Sequence, residues 1–185
     1  MATWGSGTSS DNNNINMSAG MYVFVGAWGN SGQRITAVEV KTGGYSADKT
    51  FDFYIYKGTS EDATGMTYVG KLGSWTFDSG TSTFTLTTAL SGLTFDDMDG
   101  SAYIGVGVRT SDNNSTTMRG HFTSAAGDIV EYEYFNGETD PPTATLGTGD
   151  SLTDPGSLYL NLTYEAAPAA SGGGLQLVGG AGLVG

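Results

Sequence analysis

Short runs of alternating apolar and polar residues, separated by glycine-rich turns, constrain the fold of this chain most strongly. In residues 51–57 (FDFYIYK), Phe51, Phe53 and Ile55 lie on one face of an extended strand and the residues between them on the other. Strand-length runs occur at residues 21–28, 34–41, 51–57, 67–72, 74–77, 82–87, 102–109, 117–123, 128–135 and 157–165. About ten short strands at this spacing predict an all-β chain, folded as an antiparallel β-sandwich of jelly-roll type.

The composition favours strands and tight turns over helices. The chain has 30 glycines and four prolines among its 185 residues, and only 14% of the residues are charged. No segment repeats apolar residues at the spacing of a helix, and a chain of this length suits one domain. We place that domain at residues 21–165. A polar lead-in at residues 1–20, with Trp4, Ile15 and Met17 as candidate anchors, precedes it, and an extended arm at residues 166–185 follows it.

The charge and the lack of cysteine exclude several classes of function. The chain has seven Lys and Arg residues and 19 Asp and Glu residues, so its net charge is −12. Because this charge repels phosphate backbones and anionic lipid headgroups, we expect neither a nucleic-acid nor a membrane partner. With no cysteine, the chain has no disulfide and no thiolate metal site. It shows neither a signal peptide nor an apolar run long enough to span a membrane, so we expect no classical secretion.

The arm at residues 166–185 reads AAPAASGGGLQLVGGAGLVG and contains no charged residue. It has neither a strand-length apolar run nor a helical period, so it cannot fold alone. Its apolar side chains would each gain about 1.5–3 kcal/mol on full burial. These residues are Leu175, Leu177, Val178, Leu183 and Val184. We therefore predict that the arm is held against another surface, most simply a neighbouring subunit, and that the chain is an assembly component.

Few residues could carry catalysis. His121 is the one histidine, and no serine lies in a Gly-x-Ser-x-Gly elbow that could use it as a base, so we interpret it as an ordinary sheet residue. Glu131 and Glu133 share a strand face, which resembles the paired carboxylates of jelly-roll glycosidases of the laminarinase type. That family has a further Asp between its glutamates, whereas Tyr132 stands here, so we interpret the pair as a solvated strand face. We predict that the chain is not an enzyme, with a glycoside hydrolase as the least favoured alternative.

The densest group of carboxylates is Asp96, Asp97 and Asp99 in the segment FDDMDG. An Asp-rich loop that ends in glycine can wrap a calcium ion. No Glu stands at the twelfth position that an EF-hand loop requires, and Asp and Gly are also typical of plain turns. We expect no cofactor, and a structural calcium at this loop remains an alternative.

Two pairs of tyrosines, each pair on one strand, indicate an alternative function, the binding of sugars. Tyr54 and Tyr56 share one strand face, and Tyr132 and Tyr134 share another. Exposed in this way, such rings could stack on sugars and would make the chain a carbohydrate-binding module or adhesin. The competing interpretation, which we favour, is that these rings are packed in the core or at a subunit interface.

The chain is similar in style to one group of proteins in its strand runs, its terminal arm and its start without a signal sequence. The strand runs are RITAVEVK, FDFYIYK, AYIGVGVR and SLYLNLTYE. The chain resembles the small jelly-roll proteins that decorate or cement tailed-phage capsids, and related domains of phage fibres. The resemblance implies a virion protein, assembled in the host cytoplasm, that grips the major capsid protein or another lattice protein through its arm. It also implies a homo-oligomer, with a trimer favoured. Carbohydrate-binding modules share the strand texture, and fold does not fix function.

Overall fold

The described part of the chain consists of strands and their connections, without a helix. The computed structural model describes residues 2–6, 13–17, 20–29, 33–40, 49–77, 84–86, 102–110, 116–121, 128–137, 139–140, 142–151 and 157–166. The strands are β1 (Ala2–Gly5), β2 (Asn13–Met17), β3 (Gly20–Ala27), β4 (Gln33–Val40), β5 (Lys49–Gly58), β6 (Thr67–Phe77), β7 (Phe84–Leu86), β8 (Tyr103–Thr110), β9 (Thr116–His121), β10 (Ile129–Phe135), β11 (Asp150–Ser151), β12 (Ser157–Leu158) and β13 (Leu160–Ala166). All of their pairings are antiparallel, which confirms the predicted all-β class.

The strands form three sheets. A six-stranded sheet has the order β11-β10-β3-β8-β5-β6, and a four-stranded sheet has the order β1-β13-β4-β7. A three-stranded sheet has the order β12-β9-β2. Neighbours in these sheets are often distant along the chain, since β3 pairs with β8 and β1 pairs with β13.

A core of buried apolar side chains joins the six-stranded and four-stranded sheets. Phe51, Phe53 and Ile55 contribute from β5, as their alternation predicts. From the four-stranded sheet come Trp4, Ile35, Val38, Val40, Leu160 and Leu162. Burial of these two faces against each other gives a β-sandwich-like body.

The other face of the six-stranded sheet, called here the outer face, carries a second core. Met21, Val23 and Val25 from β3 lie there with Tyr54 and Tyr56 from β5. Ala63, Met66 and Leu146, from the connections at residues 59–66 and 142–149, complete it together with Phe135. These two connections are called the cover. Strand β3 is therefore buried on both faces, which accounts for its nearly continuous apolar sequence.

Three features differ from the sequence-based expectations. The lead-in at residues 1–20 contains β1 and β2, and β1 belongs to the four-stranded sheet. The runs at 67–72 and 74–77 form one strand, β6, whose pairing with β5 contains two register shifts. The runs at 117–123 and 128–135 follow each other across a short turn and are predicted to pair as a hairpin, but β9 and β10 lie in different sheets. Residues 167–185 of the arm lie outside the described residues.

Candidate functional site: the covered outer face

The outer face is closed by two segments that hydrogen bond to each other. The Gly65 amide donates to the Leu146 carbonyl at 2.9 Å, and the Leu146 amide donates to the Met66 carbonyl at 2.9 Å. One step further along, the Tyr68 amide donates to the Ala144 carbonyl at 3.0 Å. The second cover segment therefore bonds to the first segment and, through Thr67 and Tyr68, to the start of β6.

The first cover segment is shaped by local side-chain hydrogen bonds. The Thr64 amide donates to Asp62 Oδ1 at 2.7 Å, and the Asp62 amide donates to Ser60 Oγ at 3.3 Å. Asp and Ser are favoured in turns because their short side chains can accept such bonds. Gly65 follows with a φ of 82°, a conformation that suits glycine. This turn directs the buried Ala63 and Met66 toward the sheet.

Two glycines of β8 make room under the cover. A Cβ at Gly105 would lie 2.8 Å from Met66 Sδ, and a Cβ at Gly107 would lie 3.0 Å from both Met21 Sδ and a carbon of the Tyr56 ring. The two glycines thus make room for methionine and tyrosine side chains.

Glu133 links the sheet to the cover. Its side chain is on the outer face of β10 and the residue is only 5% exposed. Oε1 accepts a hydrogen bond from the Ala63 amide at 3.3 Å, and Oε2 accepts one from Thr64 Oγ1 at 3.4 Å. A Cβ at Gly149 would lie 2.5 Å from Oε2, so the second cover segment also contacts this carboxyl.

The carboxyl of Glu133 is perturbed by its surroundings. Burial raises its pKa to about 7, and a hydrogen bond with Asp62 and the negative charges of Asp62 and Glu131 act in the same direction. The same hydrogen bond lowers the pKa of Asp62, so the proton of the pair resides on Glu133. Burial and the charges of Asp62 and Glu61 raise the pKa of Glu131. Glu133 is thus a carboxyl whose pKa lies near neutral pH.

This geometry corrects the interpretation of Glu131 and Glu133 as a solvated strand face. Both residues do share a face of β10, but Glu133 is buried because the cover lies over it. Both of its oxygens accept hydrogen bonds from the cover. The pair therefore differs from two open carboxylates that flank a substrate.

An ionic network ties residue 140, just before the second cover segment, to the sheet. Asp52 accepts from Arg109 at 3.0 Å and lies 2.9 Å from Lys71 Nζ. Lys71 also donates to Asp140 at 2.7 Å, and the Tyr54 hydroxyl donates to Asp140 at 3.0 Å. Burial and the bond to Asp140 raise the pKa of Tyr54, so the hydroxyl stays protonated and remains a donor.

Tyr54 and Tyr56, the alternative candidates for glycan contact, are not exposed. Both are fully buried under the cover, and their rings pack edge-on against Tyr68. Tyr132 and Tyr134 are half-buried, and they pack against Phe24 and Tyr22 on the face that meets the four-stranded sheet. The packed interpretation of these four tyrosines is confirmed, although Tyr54 and Tyr56 fill the second core rather than the space between the sheets.

Other predicted site residues fall elsewhere. His121 ends β9 and pairs in register with Ser157. The calcium candidates Asp96, Asp97 and Asp99 lie outside the described residues, as do Leu175, Leu177, Val178, Leu183 and Val184 of the arm. Within the described ranges, no group of three or more acidic or histidine side chains is placed to hold a metal ion. No helix in those ranges is long and apolar enough to cross a membrane.

Sequence reasoning missed the contact between Glu133 and the cover. The turn signal at residues 59–65 (TSEDATG) was available, but the bond to Ala63 spans 70 positions. In comparisons with protein families, curated proteins and solved structures, nothing matches this chain.

Proposed function

We propose that this protein is a structural virion subunit, a capsid decoration or cement protein that binds a protein lattice through the arm at residues 166–185. In this proposal the body is a β-sandwich of jelly-roll type without enzymatic activity. The partner is the major capsid protein or another virion lattice protein. The subunit is a homo-oligomer, with a trimer favoured, and it joins the particle in the host cytoplasm.

The observation that supports this proposal most directly is the way β13 is held. Strand β13 is paired on one side with β1 and on the other with β4, and it ends at Ala166, where the arm begins. A pull on the arm would therefore have to shear two ladders of backbone hydrogen bonds at once. A cement protein needs such an anchor, because its adhesive segment must not peel the body open.

The chemistry of the arm supports the same proposal. Its apolar residues can fill pockets beside an exposed sheet edge while its backbone adds to the ladder. Ordering each residue costs about 1–2 kcal/mol, which limits the affinity of a single arm. An oligomer that presents several arms to a symmetric lattice gains avidity without a new contact.

The packing of the tyrosines counts against the alternative of a carbohydrate-binding module or adhesin. That alternative depends on exposed aromatic rings, and Tyr54 and Tyr56 are fully buried. Saturable binding of the full-length chain to a polysaccharide, retained after removal of the arm, would favour this alternative over the lattice.

Sedimentation of native source material on a density gradient tests the proposal. We expect the full-length chain to remain with megadalton particles through a salt wash. A chain without residues 167–185 keeps β13 complete, so it should fold but stay at the top of the gradient. The combination Leu175→Ser, Leu177→Ser and Val178→Ser should behave like the truncation, and Gln176→Ser serves as the matched control.

Two results would contradict the proposal. Recovery of the full-length chain only as a small soluble species would exclude a role in a virion. Normal incorporation of the truncated chain would exclude the arm as the adhesive segment.

A further inference from the structure

Glu133 is the carboxyl that fastens the cover to the outer face. It accepts from the Ala63 amide and from Thr64 Oγ1, so both contacts end on the first cover segment. Beneath that segment lie Met21, Val23 and Val25, together with Tyr54 and Tyr56. Loss of these contacts would leave the cover held by its backbone hydrogen bonds, which continue onto β6 at Tyr68, and by its apolar side chains.

The surroundings of Glu133 are acidic on one side and apolar on the other. Asp62 and Glu61 approach from the cover, and Glu131 lies two residues away on β10. In β3 the paired residue is Val23, and in β11 it is Ser151, next to Asp150. Within the described residues, β3, β10, β11 and both cover segments contain no Lys, Arg or His. An ionised Glu133 would therefore be a buried charge without a cation on any of these elements.

We propose that the cover is pH-gated: it closes over the outer face when Glu133 is protonated and is released when Glu133 gives its proton to water. The protonated carboxyl donates to the Asp62 carboxylate, and its oxygens accept from Ala63 and Thr64. After deprotonation the two carboxylates repel each other across the same contact.

The direction of the pH dependence follows from linkage. A freely exposed Glu titrates near 4.5, whereas burial holds the pKa of Glu133 at about 7. The closed state thus binds the proton more tightly than the open state. Closure is strongest below pH 4.5, weakens as the pH rises from 4.5 to about 7, and is constant above that range. Each pKa unit is tenfold in an equilibrium, so the full effect is at most about 300-fold in the open-to-closed ratio.

Amide hydrogen exchange measured on the full chain at about pH 5 and about pH 8 tests this proposal. After correction for intrinsic exchange, we expect the protection of the Ala63, Gly65 and Leu146 amides to fall at least tenfold and at most about 70-fold between these two pH values. Amides within β3 and β8 should keep their protection. In Glu133→Gln, which imitates the protonated form at every pH, the cover amides should lose this dependence.

A second variant keeps the test decisive if Glu133→Gln does not fold. Asp62→Asn retains the Oδ1 acceptor for the Thr64 amide but removes the charge that repels ionised Glu133. It should move the transition to lower pH. Asp150→Asn is the control. It also removes one negative charge, at an exposed site paired with Tyr134, and it should leave the transition in place. Any of three results would overturn the proposal. The protection of the cover amides could be independent of pH, the transition could persist in Glu133→Gln, or it could stay in place in Asp62→Asn.

Discussion

The absence of a side chain at Gly107 allows the second core to pack. A Cβ there would meet a sulfur and an aromatic carbon at 3.0 Å, closer than ordinary contact. We predict that Gly107→Ala destabilises the protein by about 1–3 kcal/mol, because Met21 and Tyr56 are themselves fully buried and have little freedom to move. Chemical denaturation measures this loss.

Gly147→Ala is the matched control, because nothing lies within 4 Å of a Cβ at that position. It should be neutral or slightly stabilising, since alanine restricts the unfolded chain. Equal losses in the two variants would contradict the packing explanation.

Asp52 is the most connected carboxylate of the ionic network. Its side chain is 15% exposed and pairs with both Lys71 and Arg109. We predict that Asp52→Asn costs about 1–3 kcal/mol, because Lys71 and Arg109, both partly buried, each lose a carboxylate partner. Asp140→Asn, at a side chain that is 41% exposed, should cost at most about 1 kcal/mol. Thermal unfolding of the two variants compares them, and a larger loss for Asp140 would contradict this order.

At the residue scale, alternation predicted which side chains share a face but not which faces are covered. Tyr54 and Tyr56 do lie opposite Phe51, Phe53 and Ile55, as the sequence indicates. Their burial depends on connections that follow β5 directly and on others about 90 positions later, and no local pattern reports such a contact. For the same reason, the burial of Glu133 under the cover could not be predicted from the sequence.

Strand β1 shows how an element can be fixed by a single side chain. Trp4 is 2% exposed, and its Nε1 donates to the Ala27 carbonyl at 2.9 Å, which joins the four-stranded sheet to the end of β3. We predict that Trp4→Ala costs about 3–5 kcal/mol. Thr3→Ala, one residue away at an exposed site, should change the free energy of unfolding by less than about 0.5 kcal/mol. Similar effects of the two substitutions would indicate that β1 is dispensable.

Some strands could be located from the sequence and others could not. Strand-length runs located β3, β4, β5, β8 and β10 to within about two residues, because their apolar patterns, continuous in β3 and alternating in β5, are strong. Strands β1 and β2 were missed because they have only four and five residues, too few for an alternating pattern to be recognised. The predicted hairpin followed the rule that consecutive strands pair, and β9 instead pairs with β2 and β12.

At the scale of the whole molecule, the net charge of −12 must cause self-repulsion in the folded state. Raising NaCl from about 10 mM to about 150 mM shortens the screening length from roughly 30 Å to roughly 8 Å. We predict that this increases the free energy of unfolding by on the order of 1 kcal/mol, measured by denaturation at constant pH. A decrease would mean that attractive pairs such as Asp52 with Arg109 outweigh the repulsion.

The sequence predicted the all-β class of the fold, because this class follows from periodicity. It did not predict three sheets or a second core. These depend on which distant segments meet, and pairs such as Ala2 with Tyr164 lie far apart along the chain.

The pairing of β1 with β13 places the first and last strands of the body side by side. Ala2 lies opposite Tyr164, about 5 Å away, and Ala166 is two residues further on. A short Gly-Ser bridge could therefore join Ala166 to Ala2 and form a circular chain. New ends could then be opened at the exposed turn of Asn136 and Gly137. The arrangement of the sheets thus tolerates a different chain order, and a permuted body could display an attached peptide from the opposite sheet.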